Sequence, residues 1–122
     1  YRKAAEQGEA KAQFNLGSRY MNGWGMATNV DEAIKWYRLA ADQGFALAQR
    51  NLGVCYILGR GVHEDKTEAY KWLTLSVHNG AAGSEAIQDH FSQTISPDAI
   101  YEGLQRANAF VPHPKIFANE PK

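Results

Sequence analysis

The sequence predicts an all-α fold, a solenoid of about seven helices in antiparallel pairs with no strands. Two observations carry that prediction: glycines that return at one fixed interval, and small or apolar residues that keep helical spacing between them. Of 122 residues, 11 are glycine, a surplus of helix breakers that means either a loopy chain or a punctuated one. Gly8, Gly44 and Gly80 stand 36 residues apart, and the same interval joins Gly17 to Gly53, Gly23 to Gly59 and Gly25 to Gly61. The glycines are punctuation. Ala12 and Ala48, Gln13 and Gln49, Asn15 and Asn51, Leu16 and Leu52, and Tyr20 and Tyr56 keep the interval too, as do Glu32 and Glu68, Ala33 and Ala69, Lys35 and Lys71, and Trp36 and Trp72. Self-similarity at a period of this length is the mark of stacked helical repeats.

Each unit reads as two helices. In the first, Ala12, Leu16 and Tyr20 recur every four residues and form one stripe, matched by Ala48, Leu52 and Tyr56. Gly17 and Gly53 fall inside these helices, where glycine costs ~1 kcal/mol against alanine; a cost incurred twice implies close approach of a neighbouring helix. Gly23-Trp24-Gly25 and Gly59-Arg60-Gly61 form the turns between paired helices. The second helix starts at Asn29 with Glu32 three residues on, and again at Asp65 with Glu68, the pattern of an N-cap side chain followed by an acid. Trp36 and Ala40, like Trp72 and Ser76, then share a face, and Gly44 and Gly80 stand where a left-handed residue ends the helix.

Composition narrows the function. Thirteen Lys and Arg balance thirteen Asp and Glu, which argues against a nucleic-acid reader or a polybasic membrane binder, since both need surplus cations. Hydrophobic residues make up 44% of the chain, enough for one buried core, yet no apolar run approaches the ~20 residues that cross a bilayer. A single cysteine, Cys55, excludes an internal disulfide framework. Because the chain opens on Tyr1 rather than Met, its compartment is not written in the sequence.

The strings AKAQFNLGSRYMNGWGMATNVDEAIKWYRLAADQG and ALAQRNLGVCYILGRGVHEDKTEAYKWLTLSVHNG resemble the Sel-one-like repeat family, a branch of the tetratricopeptide-like solenoids. Two copies carry its A-x3-LG-x2-Y-x2-G-x-G core and its A-x2-W ending. The resemblance covers residues 1–110 and implies a right-handed superhelix that holds protein or peptide partners, in a soluble protein of the bacterial cytoplasm or periplasm. Residues 1–8 would close an earlier repeat, because Tyr1 to Gln7 match Tyr37 to Gln43; 9–44 and 45–80 would be full repeats, and 81–110 a degenerate capping pair. In that last unit Gln88, Asp89 and Ser92 stand where leucine, glycine and tyrosine are expected. Helices are expected over 84–94 and 97–109, the latter opened by Ser96 and Pro97 and striped by Ile100, Leu104 and Ala107. Residues 111–122 hold three of the four prolines and are expected to be an extended or disordered tail.

The resemblance also implies where a partner binds, since the first helix of each pair lines the concave face of such stacks. The groove residues would be Lys11, Phe14, Ser18, Met21 and Asn22, then Leu47, Arg50, Val54, Ile57 and Leu58, with Ala86, His90, Gln93 and Thr94 from the last unit. This mostly apolar surface suits an amphipathic helix or an extended apolar peptide. A clamp for a terminal carboxylate, known from some tetratricopeptide proteins, is a poor fit: Phe14, Ser18, Asn51, Gly83 and Ile87 occupy its positions, and only Asn51 has the right chemistry. Trp24 is either an exposed loop contact or a ring folded over the next helix.

Catalysis has little to stand on. The four histidines, His63, His78, His90 and His113, include no pair at helical metal-ligand spacing, so neither a metal nor another cofactor is expected. Cys55 sits in a helix with no nucleophile motif around it, and Glu85 and Asp89, one turn apart, read as solvated charges. The competing reading is a cell-wall-related hydrolase or a binder of β-lactams and peptidoglycan peptides, suspected for cysteine-rich relatives whose paired cysteines this chain lacks. Residues 1–7 would have an uncovered apolar side able to join a second copy as a homodimer, and Pro114-Lys115-Ile116-Phe117 would be able to lie across a groove.

Overall fold

The computed structural model describes residues 8–23 and 29–110. Trp24, Gly25, the opening segment 1–7 with its proposed dimer contact, and the tail 111–122 lie outside the described residues. Among those described there are six helices and no strand: α1 (Ala10–Asn22), α2 (Val30–Asp42), α3 (Ala46–Leu58), α4 (Lys66–His78), α5 (Ser84–Ser92) and α6 (Pro97–Ala109).

The helix starts follow their sequence signals. Asn29 Oδ1 accepts from the Glu32 amide at 3.1 Å, and Asp65 Oδ1 from the Glu68 amide at 3.0 Å. Ser96 Oγ accepts from the Ala99 amide at 3.1 Å, with Pro97 as first helical residue. Each of these bonds satisfies a backbone donor that the first helical turn leaves without an intrahelical partner. At the other ends, Gly23 closes α1 and Gly59 closes α3 in the left-handed region, with φ of 73° and 68°.

Two pairs form the body: α1 packs along α2 and α3 along α4, while α2 against α3 joins one pair to the next. The interval of 36 residues reappears as equivalent burial. Leu16 and Leu52, Trp36 and Trp72, and Ala40 and Ser76 are all buried at the interfaces. The interior glycines mark the close approach expected of them: a Cβ at Gly17 would lie 2.9 Å from Tyr37 Cδ1, and one at Gly53 would lie 3.1 Å from Leu73 Cγ.

Beyond Gly80 the arrangement changes. α5 and α6 each pack on α4 and hardly touch one another, so they do not lie along each other as α1 and α2 do. Phe91 seats α5 in the core. In α6 the buried face runs through Gly103 and Ala107 rather than through Leu104, which is 38% exposed. The reason is the closeness of α4: a Cβ at Gly103 would be 3.0 Å from Tyr70 Cβ and 3.1 Å from the Thr67 carbonyl, which leaves no space for a longer side chain on that line.

A buried amide ladder ties the repeats together. Gln13 and Gln49 are both fully buried. Gln13 Oε1 accepts from Gln43 Nε2 at 2.7 Å, and 36 residues on Gln49 Oε1 accepts from Asn79 Nδ2 at 3.0 Å. Gln49 also donates to the Ala41 carbonyl at 3.1 Å, so one amide bonds its own repeat and the preceding one. Buried polar side chains persist only when so satisfied.

Candidate functional site

The first helices of the pairs line a row of surface cavities. The first, about 490 Å³, is bounded by Phe14, Asn15, Ser18, Arg19, Asn22 and the rim residues Met21, Tyr37 and Asn51. The second, about 150 Å³, shares those three rim residues and adds Val54, Cys55, Leu58 and Arg60. The two therefore adjoin. A third, about 630 Å³, lies between the end of α3 and α5, with Ile57, Ala86, Ile87, His90, Phe91 and Thr94 in its wall beside Glu64 and Lys66.

The expected groove residues divide among these places. Phe14 and Ser18 line the first cavity, Val54 and Leu58 the second, and Ile57 and His90 the third. Phe14 is half-buried because its ring meets Tyr37 at 5.7 Å and Phe45 at 5.4 Å between centroids. Met21 lines both of the first two cavities where they meet, with its side chain 8% exposed and joined to the core. Leu47 lines a separate hollow of about 520 Å³ made by the loops at Gly44 and Gly80. Arg50 instead reaches the Ala82 carbonyl at 2.8 Å, fastening α3 to the segment that leads into α5. Lys11 is exposed on α1 and lines none of the three cavities.

The polar groups at the centre of the row were less legible. Tyr37 belongs to α2, yet its hydroxyl reaches Ser18 Oγ at 3.0 Å and accepts from Asn51 Nδ2 at 3.5 Å. The signal for it was a departure from the repeat, since Leu73 occupies the equivalent position of the next unit. Asn15 and Asn51 keep the interval and both line the row, so a polar residue repeated on a half-buried helix face marked this surface.

Cys55 is buried, and burial pushes its thiol above the ordinary range while nearby Arg60 pulls weakly the other way. A thiol held protonated is a poor nucleophile. Among the described residues no three His, Cys, Asp or Glu side chains gather to hold a metal, and no helix is long and apolar enough to cross a membrane.

A stack of helix pairs with cavities along its first helices is the architecture of an α/α repeat protein. The Sel1 repeat profile matches residues 1–9, 10–45 and 46–80, and the chain belongs to the Sel1 repeat family, whose members usually serve as protein-interaction scaffolds. A protective antigen of uropathogenic Escherichia coli strains, with an SLR fold, is similar over 89% of this chain and 24% of its own, at 30% identity and a TM-score of 0.85. A Sel1 repeat protein from Oxalobacter formigenes is similar over 88% of this chain and 47% of its own, at 36% identity and a TM-score of 0.73. The chain thus spans about a quarter and about half of these two structures. No curated protein matches it significantly.

Proposed function

We propose that the chain is a scaffold module that holds a segment of a partner protein in the row of cavities along α1, α3 and α5, without catalysis of its own. The observation that carries this reading is the junction at Met21, Tyr37 and Asn51, which joins two cavities into one channel with an apolar floor and hydrogen-bonding walls. That combination suits an extended peptide, whose side chains need apolar seats and whose backbone needs polar partners. Phe14, Val54 and Ile57 are half-buried, so covering them completes burial already begun. An apolar anchor fully buried contributes ~1.5–3 kcal/mol, and several such anchors, less the cost of ordering a peptide, correspond to affinity on the order of micromolar. In this reading residues 9–44 and 45–80 supply the two regular units and 81–110 extend the groove by a third, degenerate one. The competing hydrolase reading needs an activated nucleophile, and burial raises the pKa of the one thiol, the opposite of activation.

The test is affinity capture from the native lysate with wild type beside Val54→Asp. Val54 is half-buried in the channel wall, so the variant charges the channel while keeping the core. A partner retained by wild type and lost by Val54→Asp is the expected result; a partner held equally by both overturns the assignment of the groove.

A further inference from the structure

The two helices that wall the first two cavities carry a single sign of charge. α1 contains Lys11 and Arg19, α3 contains Arg50, and neither contains an acid. Arg60 adds a further cation at the rim of the second cavity. The chain as a whole is neutral, so its acids sit elsewhere: Asp31, Glu32 and Asp42 beside Lys35 and Arg38 on α2, Glu68 beside Lys66 and Lys71 on α4, and Glu85 and Asp89 on α5. Lys11, Arg50 and Arg60 form no ion pair with a carboxylate among the described residues. Arg50 donates to the Ala82 carbonyl and Arg60 to the Met21 carbonyl at 3.5 Å, and a neutral acceptor leaves the guanidinium charge uncompensated. Arg60 shares the second cavity with apolar side chains, Leu58 68% exposed and Val54 half-buried.

Resting on the groove reading above, we propose that the channel's occupant is an extended acidic peptide segment. It places an Asp or Glu beside Arg60 and an apolar side chain against Val54 and Leu58, with its backbone along the Asn15 and Asn51 amides. Charge complementarity selects the acid, because a cationic side chain in the peptide would meet Arg19 in the first cavity and Arg60 in the second, and no carboxylate lines either. The apolar floor selects peptide over nucleic acid. Single-strand binding relies on exposed aromatic rings for base stacking, and here Tyr37 is 2% exposed while Phe14 is engaged with two other rings.

A displayed library of random peptides about twelve residues long, roughly 40 Å when extended, is panned against the chain. The leading peptide and its Asp→Asn, Glu→Gln form are then titrated by fluorescence anisotropy against wild type, Arg60→Glu, Arg60→Gln and Val54→Asp, with folding of each variant checked by circular dichroism. The expected result is enrichment of Asp and Glu next to Leu, Ile or Phe, weakening on the order of tenfold for the neutralised peptide and for Arg60→Glu, a smaller loss for Arg60→Gln, and weaker binding at higher salt. Neutral peptides that respond to Val54→Asp but not to Arg60→Glu overturn the acidic assignment and leave the groove standing. Peptides indifferent to Val54→Asp, or a library with no binders, overturn the groove reading and this inference with it. A thymidine strand that displaces the peptide at equal concentration overturns the choice of peptide over nucleic acid.

Discussion

The Glu68 carboxylate accepts from Arg106 Nη1 at 2.7 Å and makes no bond to the indole of Trp72, whose buried N–H has no partner among the described residues. In the preceding repeat the equivalent pair does bond, with Trp36 Nε1 donating to Glu32 Oε2 at 3.1 Å. The difference is the presence of α6, which brings Arg106 within reach of Glu68 and the Phe110 ring to 5.6 Å from Trp72. One position of the repeat thus trades an indole bond for attachment of the last helix.

Trp36→Phe removes a bond to a charged acceptor, whereas Trp72→Phe removes a donor that bonds nothing. The first is expected to cost about 1–2 kcal/mol more than the second, read as the difference in urea unfolding free energy. Equal losses would contradict this account of the two indoles. Arg106 is 41% exposed, so solvent screens the ion pair and Arg106→Ala is expected to cost less than ~1 kcal/mol.

Gln49→Leu keeps the volume of a fully buried side chain but deprives both the Ala41 carbonyl and the Asn79 amide of a partner. The Ala41 carbonyl keeps the Gly44 amide at 3.0 Å and Asn79 is exposed to water, so losing the two bonds is expected to cost about 1–3 kcal/mol. A loss under that range, measured by urea unfolding, would mean that water replaces the ladder.

Glycine substitutions separate packing from backbone effects. Gly17→Ala gains up to ~1 kcal/mol of helix propensity but forces the buried Tyr37 ring away from a Cβ at 2.9 Å, and overpacking of that kind costs ~1–3 kcal/mol. Net destabilisation is expected. Gly61→Ala is expected to be worse, because Gly61 has φ of 77° and its Cβ would meet Val30 Cγ1 at 2.5 Å and Ile34 Cγ1 at 2.7 Å. Thermal midpoints in the order wild type, Gly17→Ala, Gly61→Ala check both, and a stabilised Gly17→Ala would remove the close-approach explanation.

Burial raises the Cys55 pKa in the folded chain above its unfolded value. The folded state therefore holds this proton more tightly, and the resulting stabilisation is complete below the ordinary thiol value, about 8.5, and lost as pH rises through the higher folded value. Wild type is expected to lose stability above pH ~8.5 more steeply than Cys55→Ala. A thiol reagent at neutral pH is expected to label Cys55 slowly in the native chain and quickly in denaturant. Rapid native labelling would show an accessible, ionised thiol instead.

The regular units were legible because their signals are local. Asn29, Asp65 and Ser96 announce helix starts through side-chain bonds three residues away, and Gly17 and Gly53 announce close packing because nothing else justifies glycine there. What stayed hidden depends on tertiary contact. The sequence stripe assigned Leu104 to the core, since no periodicity reveals that α4 comes so near α6 that only Gly103 fits. Met21 lines the expected groove, but its burial in the core was not visible from spacing; Tyr37 entered the site from a helix assigned to packing. That α1 and α3 carry cations and no acid was hidden by the neutral total.

Chemical-shift mapping tests the central claim most directly: the isotope-labelled chain is titrated with a peptide that binds it, and backbone amide shifts are followed. The account predicts perturbations centred on Asn15, Ser18, Asn51, Val54 and Arg60, the residues around the junction of the two cavities. Perturbations centred instead on Thr74, His78, Asn108 and Phe110, the cavity between α4 and α6, would contradict it.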